Sequence, residues 1–363
     1  MSEFVTDLIK KHAAECGENE YNGMMGLRIS AIFVILVGSG FGAFFPILSS
    51  RYSFLKMHPY FFFFCKYFGS GVIVATAFIH LLSPASDSLS SECLSHAWHE
   101  YPYAYAICMV TLFALFFFEL MAFRVVDKKV GNASHSHSHF GEESTFVKKD
   151  NEDSADEDST PADADRPASQ PYPSHFSHAA QHQDPEAIGT HLEEADKEQY
   201  YGQLLNVFVL EFGVIFHSVF IGLTLAVCGD EFKTLYPVIV FHQLFEGLGL
   251  GARIAAIFWP KDKRWTPWLL ALGYTLCTPI AIAIGLGVRE SYAPGSATSL
   301  IASGIFDSIS AGILLYTGLI ELMAHEFLFS GEFKLEGGFK RMLWAYALMC
   351  FGTGIMALLG KWA

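Results

Sequence analysis

Charge is what this 363-residue chain has least of. Asp, Glu, Lys and Arg make up 17% of it, against about 25% in an average soluble domain. Only 23 residues are Lys or Arg, and they form no basic face of the kind a nucleic-acid binder needs. The seven cysteines (Cys16, Cys65, Cys93, Cys108, Cys228, Cys277 and Cys350) are scattered without a CxxC pair, which excludes a zinc ribbon and a dense disulfide scaffold. There is no HExxH: the HEFLF at 325–329 lacks the second histidine of a zinc-protease helix. No nucleophile–His–Asp set can be drawn either. What is abundant is apolar surface, with 52% hydrophobic residues, 34 Phe and long stretches without a charge. Length alone allows two or three soluble domains, but apolar runs of about 20 residues overrule that prior.

The formal net charge of −14 is nevertheless large, and it is local. Residues 127–201 hold 17 Asp or Glu against six Lys or Arg, a net of −11, leaving −3 for the other 288 residues. This segment is rich in Pro, Ser, Ala and Gln, shows no apolar periodicity, and carries seven of the 15 histidines. Low hydrophobicity with high charge predicts a disordered loop rather than a domain. The chain therefore reads as two apolar blocks joined by one acidic, His-bearing loop.

Runs of about 20 apolar residues predict an all-α integral membrane protein with eight transmembrane helices near 26–48, 60–83, 102–126, 202–228, 235–258, 266–288, 298–323 and 341–360. The expected organisation is an N-terminal tail (1–25), three helices (26–126), the loop (127–201) and five helices (202–363). A count of three, two and three permits an inverted repeat. The first run does not read as a signal peptide, because the tail before it is acidic and a signal n-region is positive. The 49–59 turn carries Arg51 and Lys56, and the 259–265 turn Lys261, Lys263 and Arg264, whereas 84–101 has Asp87, Glu92 and Glu100 and no Lys or Arg. The positive-inside bias then places both termini outside and the His-rich loop in the cytosol.

Ionisable residues inside such spans are functional candidates, since a charge at the bilayer centre costs several kcal/mol. Span four reads LEFGVIFHSVFIGLTL, with Glu211, His217 and Ser218; span five reads FHQLFEGLGLGAR, with His242, Gln243 and Glu246. His242 and Glu246 are four apart and share a helix face. His217 and Glu246 each lie about eleven residues from an outer end, so at about 1.5 Å per residue they reach matching depths. Imidazole nitrogen with carboxylate oxygen suits zinc better than magnesium or calcium. Gly213, Gly222, Gly247, Gly249 and Gly251 are expected to let these two helices approach closely. A lone membrane histidine can equally be a helix-packing donor, and the convergence of three groups is what favours a metal site.

At HSVFIG (217–222) and HQLFEG (242–247) the sequence resembles the ZIP family, the zinc-regulated, iron-regulated transporter-like proteins. Further matches are GVIVATAFIHLL (71–82), GIFDSISAGILLYTGLIEL (304–322), FGTGIMALLGKWA (351–363) and the His-rich loop after span three. The stretch from Cys93 to Ala104 resembles the fungal plasma-membrane zinc uptake branch. The resemblance implies an eight-helix fold in which His217, His242 and Glu246 bind the travelling ion, Ser218 and Gln243 act as further ligands or orienting groups, and His80 serves as an entrance ligand. Other branches carry carboxylates where this chain has Ile221 and Gln243, which implies a single-ion site. It also implies import of zinc by alternating access, with zinc as transported substrate and no cofactor, in the plasma membrane. A homodimer, and ubiquitin acceptance by Lys128, Lys129, Lys148, Lys149 or Lys197, rest on the same analogy.

Competing readings are a broader importer of iron, manganese or cadmium, and a membrane zinc sensor or intramembrane metallohydrolase, for which Glu246 is the nominal acid. His135, His137 and His139, in HSHSH, can chelate zinc with several imidazoles and fit capture or sensing of cytosolic zinc. Asp307 with Ser308 and Ser310 either lines the path or packs helices. Glu321, His325 and Glu326 lie where an ion would leave, and Glu119 and Glu211 read as structural partners.

Overall fold

The computed structural model describes residues 21–52, 58–130, 194–289, 293, 295–329, 333 and 338–362. Among these there is no strand, and eight helices are long and apolar enough to cross a membrane. They are α1 (Met25–Arg51), α2 (Pro59–Leu89), α3 (Tyr103–Val130), α4 (Glu194–Val227), α5 (Phe232–Ala256), α6 (Thr266–Gly287), α7 (Ala297–Tyr316, running on over Thr317–Phe329) and α8 (Gly338–Leu359). Local chemistry sets several of the ends. Pro59 opens α2 with the His58 ring accepting from the Tyr60 N–H, and the Ser296 hydroxyl accepts from the Ser299 N–H at the start of α7. Both satisfy a backbone donor that a helix start leaves orphaned.

Two of the expected boundaries move. α3 continues to Val130 and α4 begins at Glu194, so 127–130 and 194–201 are helical rather than loop. Glu194 and Asp196 stand in the first turn of α4, where the helix dipole favours negative charge. Residues 131–193, with His135, His137 and His139, lie outside the described residues, as does the segment 1–20.

The usual burial pattern is inverted. Phe33, Val37 and Phe41 on α1, Phe113 and Phe118 on α3 and Leu343, Trp344 and Phe351 on α8 point outward, while His217, Ser218, His242, Gln243 and Glu246 are buried. This is the pattern of a bundle in lipid, which cannot hydrogen-bond polar groups. Helix association there gains little from hydrophobicity and depends on close packing by small residues. A Cβ added at Gly249 would sit 3.0 Å from the Gly69 Cα, and one at Gly247 would sit 3.0 Å from the Ala43 nitrogen. The expectation that such glycines bring α4 to α5 is corrected here. Gly247 and Gly251 face α1, Gly249 faces α2, Gly213 faces α7 and Gly222 faces α6. Each site helix is held by its outer neighbours, and α4 and α5 touch each other little.

The main packing pairs are α1 with α5, α2 with α7, α4 with α6, α2 with α8, α1 with α6, α3 with α7, α2 with α5 and α4 with α7. Exchanging 1 with 6, 2 with 7, 3 with 8 and 4 with 5 returns the same pairs. The packing therefore has the pattern of an inverted three-helix repeat around a central α4–α5 pair. Both α2 and α7, which exchange, carry a π-helical stretch, at Thr76–Leu82 and Thr317–Phe329. Such widened turns concentrate at functional sites, and apolar periodicity gave no sign of them.

Candidate metal centre

His217 lies ten residues before the end of α4 and His242 ten residues after the start of α5, about 15 Å into each helix. It is therefore His242 that is level with His217, their ring centroids being 5.5 Å apart, and Glu246 stands one turn deeper. The expected match of His217 with Glu246 shifts because α5 begins at Phe232, three residues before the apolar run suggests. Glu246 still reaches the group, since His217, His242 and Glu246 offer ligand atoms all within 4.8 Å of one another. All three side chains are buried, at 3%, 2% and 1% exposure for the residues.

The electrostatics of this group are unusual for a protein interior. His217 Nε2, His242 Nε2 and both Glu246 carboxylate oxygens are buried without a hydrogen-bond partner. His242 Nε2 lies 3.2 Å from Glu246 Oε1, close enough to attract but out of hydrogen-bond alignment. An unpaired buried imidazole nitrogen costs a few kcal/mol and an unpaired carboxylate considerably more. Buried ligand atoms gathered within 4.8 Å of one another, without aligned hydrogen bonds, are what a cation site requires. Two nitrogens and a carboxylate are a zinc-type set, with room for a fourth ligand.

The neighbours differ in how they relate to this point. Gln243 Nε2 donates to Ser218 Oγ at 3.2 Å, bridging α5 to α4, and its Oε1 is buried without a partner. The Tyr274 hydroxyl of α6 donates to the Gln243 carbonyl at 2.5 Å, locking the backbone between His242 and Glu246. Nothing in the GYTLCTP stretch (273–279) signalled that role. His80, expected at the entrance, is placed against the main group. It sits in the π-helical stretch of α2 with its ring 4.8 Å from that of His242. Its Nε2 is 2.9 Å from the Met356 carbonyl of α8. Asp307 on α7 places Oδ1 3.7 Å from His217 Nδ1.

Farther along α5, Arg253 pairs with Glu326 of α7 and donates to Ser70 Oγ of α2 at 2.6 Å. Lys66 of α2 stands 3.9 Å from the same carboxylate. Glu326, expected as an exit ligand, is thus committed to two cations, whose positive charge offsets its burial. Glu119 accepts from the Tyr316 hydroxyl, tying α3 to α7, whereas the buried Glu211 Oε2 has no hydrogen-bond partner.

Comparison with known proteins bears on the same residues. The family model described as ZIP Zinc transporter matches residues 25–360, which include every described site residue. The chain is 48% identical to Zinc-regulated transporter 2 of Saccharomyces cerevisiae, over 95% of this chain and 96% of the relative. It is 45% identical to Zinc-regulated transporter 1 of the same yeast, over 96% and 90%. It is 31% identical to Fe(2+) transport protein 2 of Arabidopsis thaliana, over 93% and 87%. No solved structure matches. These relatives are transporters rather than enzymes, and the eight apolar helices make the chain a multi-span membrane protein. With the family's model spanning nearly the whole chain, the protein belongs to the ZIP zinc transporter family.

Proposed function

We propose that the protein imports zinc into the cytosol across the plasma membrane, carrying one ion at a time through the His217–His242–Glu246 group. The observation that carries this reading is the set of buried, unpartnered ligand atoms within 4.8 Å of one another, ten residues before the end of α4 and near the middle of α5. A zinc ion there replaces the missing partners of four atoms at once. The three residues are buried in this conformation, which supports passage by alternate opening rather than through a continuous pore. The Arg253–Glu326–Lys66–Ser70 cluster ties α2, α5 and α7 together beyond the site, and it must loosen for the ion to leave at that end.

Direction follows from charge and redox chemistry. The turn after α5 carries Lys261, Lys263 and Arg264, which suits the cytosolic side. Cys93, in the loop between α2 and α3, is disulfide-bonded, a bond that persists in oxidising compartments. Both support outer placement of the α2–α3 loop and of the two termini. The names of the yeast relatives support zinc as the cargo. The name of the Arabidopsis relative favours a second reading in which ferrous iron shares the path.

Uptake of radioactive zinc by vesicles reconstituted with the purified protein tests this. The intact protein accumulates zinc, and His217→Ala at equal incorporation loses most of that uptake. Equal uptake by His217→Ala removes the proposed ion path. Competition by iron, manganese and cadmium in the same vesicles measures selectivity.

A further inference from the structure

The geometry points to Asp307 as the positioning residue of the metal centre, holding His217 in the one tautomer and orientation that can bind the ion. This rests on the reading of His217 as a ligand and extends it to a third helix. Asp307 lies on α7, one of the helices packed directly on α4. The Phe306 ring stacks within 5.6 Å of Phe220 and 5.5 Å of Phe216, and this aromatic contact fixes the register that brings Asp307 opposite His217. Its Oδ1 faces His217 Nδ1 at 3.7 Å and is otherwise without a hydrogen-bond partner. The neighbouring Ser308 hydroxyl does not compete, since it donates backward to the Gly304 carbonyl at 2.6 Å.

The two nitrogens of His217 are therefore unequal. Nδ1 faces a carboxylate, which stabilises the Nδ1–H form; Nε2 is buried, unpartnered and carries the lone pair. A metal-binding histidine whose other nitrogen donates to a carboxylate is held in orientation and made more basic. At 3.7 Å the contact is longer than a hydrogen bond. An ion on Nε2 draws electron density from the ring, makes Nδ1–H a stronger donor and pulls the pair together. The arrangement also supplies charge. With Glu246 it puts two carboxylates around two neutral imidazoles, so a divalent ion is neutralised although Ile221 and Gln243 carry no charge.

The test separates Asp307→Ala, which removes the acceptor, from Asp307→Asn, which keeps a carbonyl oxygen for Nδ1–H. Zinc uptake is read as KM and maximal rate per folded, incorporated molecule, beside the zinc-induced rise in melting temperature of the purified protein. Asp307→Ala is expected to raise KM about ten- to hundredfold and to shrink the zinc-induced rise, while Asp307→Asn recovers most of the loss. In a His217→Ala background, Asp307→Ala is expected to change the zinc-induced rise no further. Unchanged KM and zinc-induced rise in Asp307→Ala, or an Asn variant as impaired as Ala, overturns the proposal. His217→Ala distinguishes the two failures: full zinc binding and uptake by that variant removes the ion site itself, not only its positioning.

Discussion

Gln243 and Ser218 occupy places where a carboxylate would harden the site. In this chain they form a neutral bridge, 3.2 Å long, between α5 and α4. Gln243→Glu adds a buried negative charge beside Glu246, and carboxylate oxygens favour harder ions. Manganese and ferrous iron are expected to compete with zinc several-fold better in this variant, and an unchanged competition profile would show that Gln243 does not face the ion. Arg28 illustrates a buried charge of the opposite kind. It is fully buried, donates to the carbonyls of Leu225, Ala226 and Cys228 at 2.9, 3.0 and 2.5 Å, and lies 4.4 Å over the Phe232 ring. It thereby satisfies the carbonyls that end α4, where a cation also suits the helix dipole. Arg28→Ala is expected to destabilise the purified protein by about 3 kcal/mol, read as a lower melting temperature, with zinc KM per folded molecule unaltered. Arg28→Lys recovers little, because an ammonium cannot reproduce the planar fork of donors.

At the scale of elements, the site depends on how α2, α5 and α7 are spaced. Gly69 and Gly249 meet backbone to backbone, and no side chain larger than hydrogen fits there without moving a helix. Gly249→Leu is expected to reduce uptake more than tenfold by prising α5 from α2, whereas Gly354→Leu, with open space around its Cα, leaves it intact. Comparable uptake by both variants would dissociate the close contact from the site's geometry. The glycines themselves were plain in the sequence, but which helix each one faces was not. That depends on rotation of the whole helix, and in spans apolar on nearly every side no amphipathic stripe fixes the rotation. The π-helical stretches were hidden for a related reason: one extra residue per widened turn leaves an apolar run apolar. His217, His242 and Glu246 were legible because polar groups in lipid are costly enough to need a reason. His80's contact with His242 depended on the α2 bulge and was not legible.

For the molecule as a whole, the pairs of packed helices exchange under a three-plus-three inversion, with α4 and α5 at its centre. The His217–His242–Glu246 group sits on that central pair. The acidic surplus falls in residues 127–201, apart in the sequence from His217, His242 and Glu246. Deleting 132–190 is therefore expected to leave zinc uptake within about twofold in vesicles, while abolishing zinc-triggered removal of the protein from the cell surface. Zinc-triggered removal that persists in a correctly localised deletion variant would end the sensing reading of His135, His137 and His139.

The same deletion variant makes the most direct test available, since zinc it retains cannot be held by HSHSH. X-ray absorption of its zinc-loaded form reports the ligands themselves. The account predicts one zinc per chain, bound by nitrogen and oxygen at about 2.0–2.2 Å with two imidazoles, one of which disappears in His217→Ala and the other in His242→Ala. A sulfur shell, or a spectrum that neither substitution alters, would contradict it.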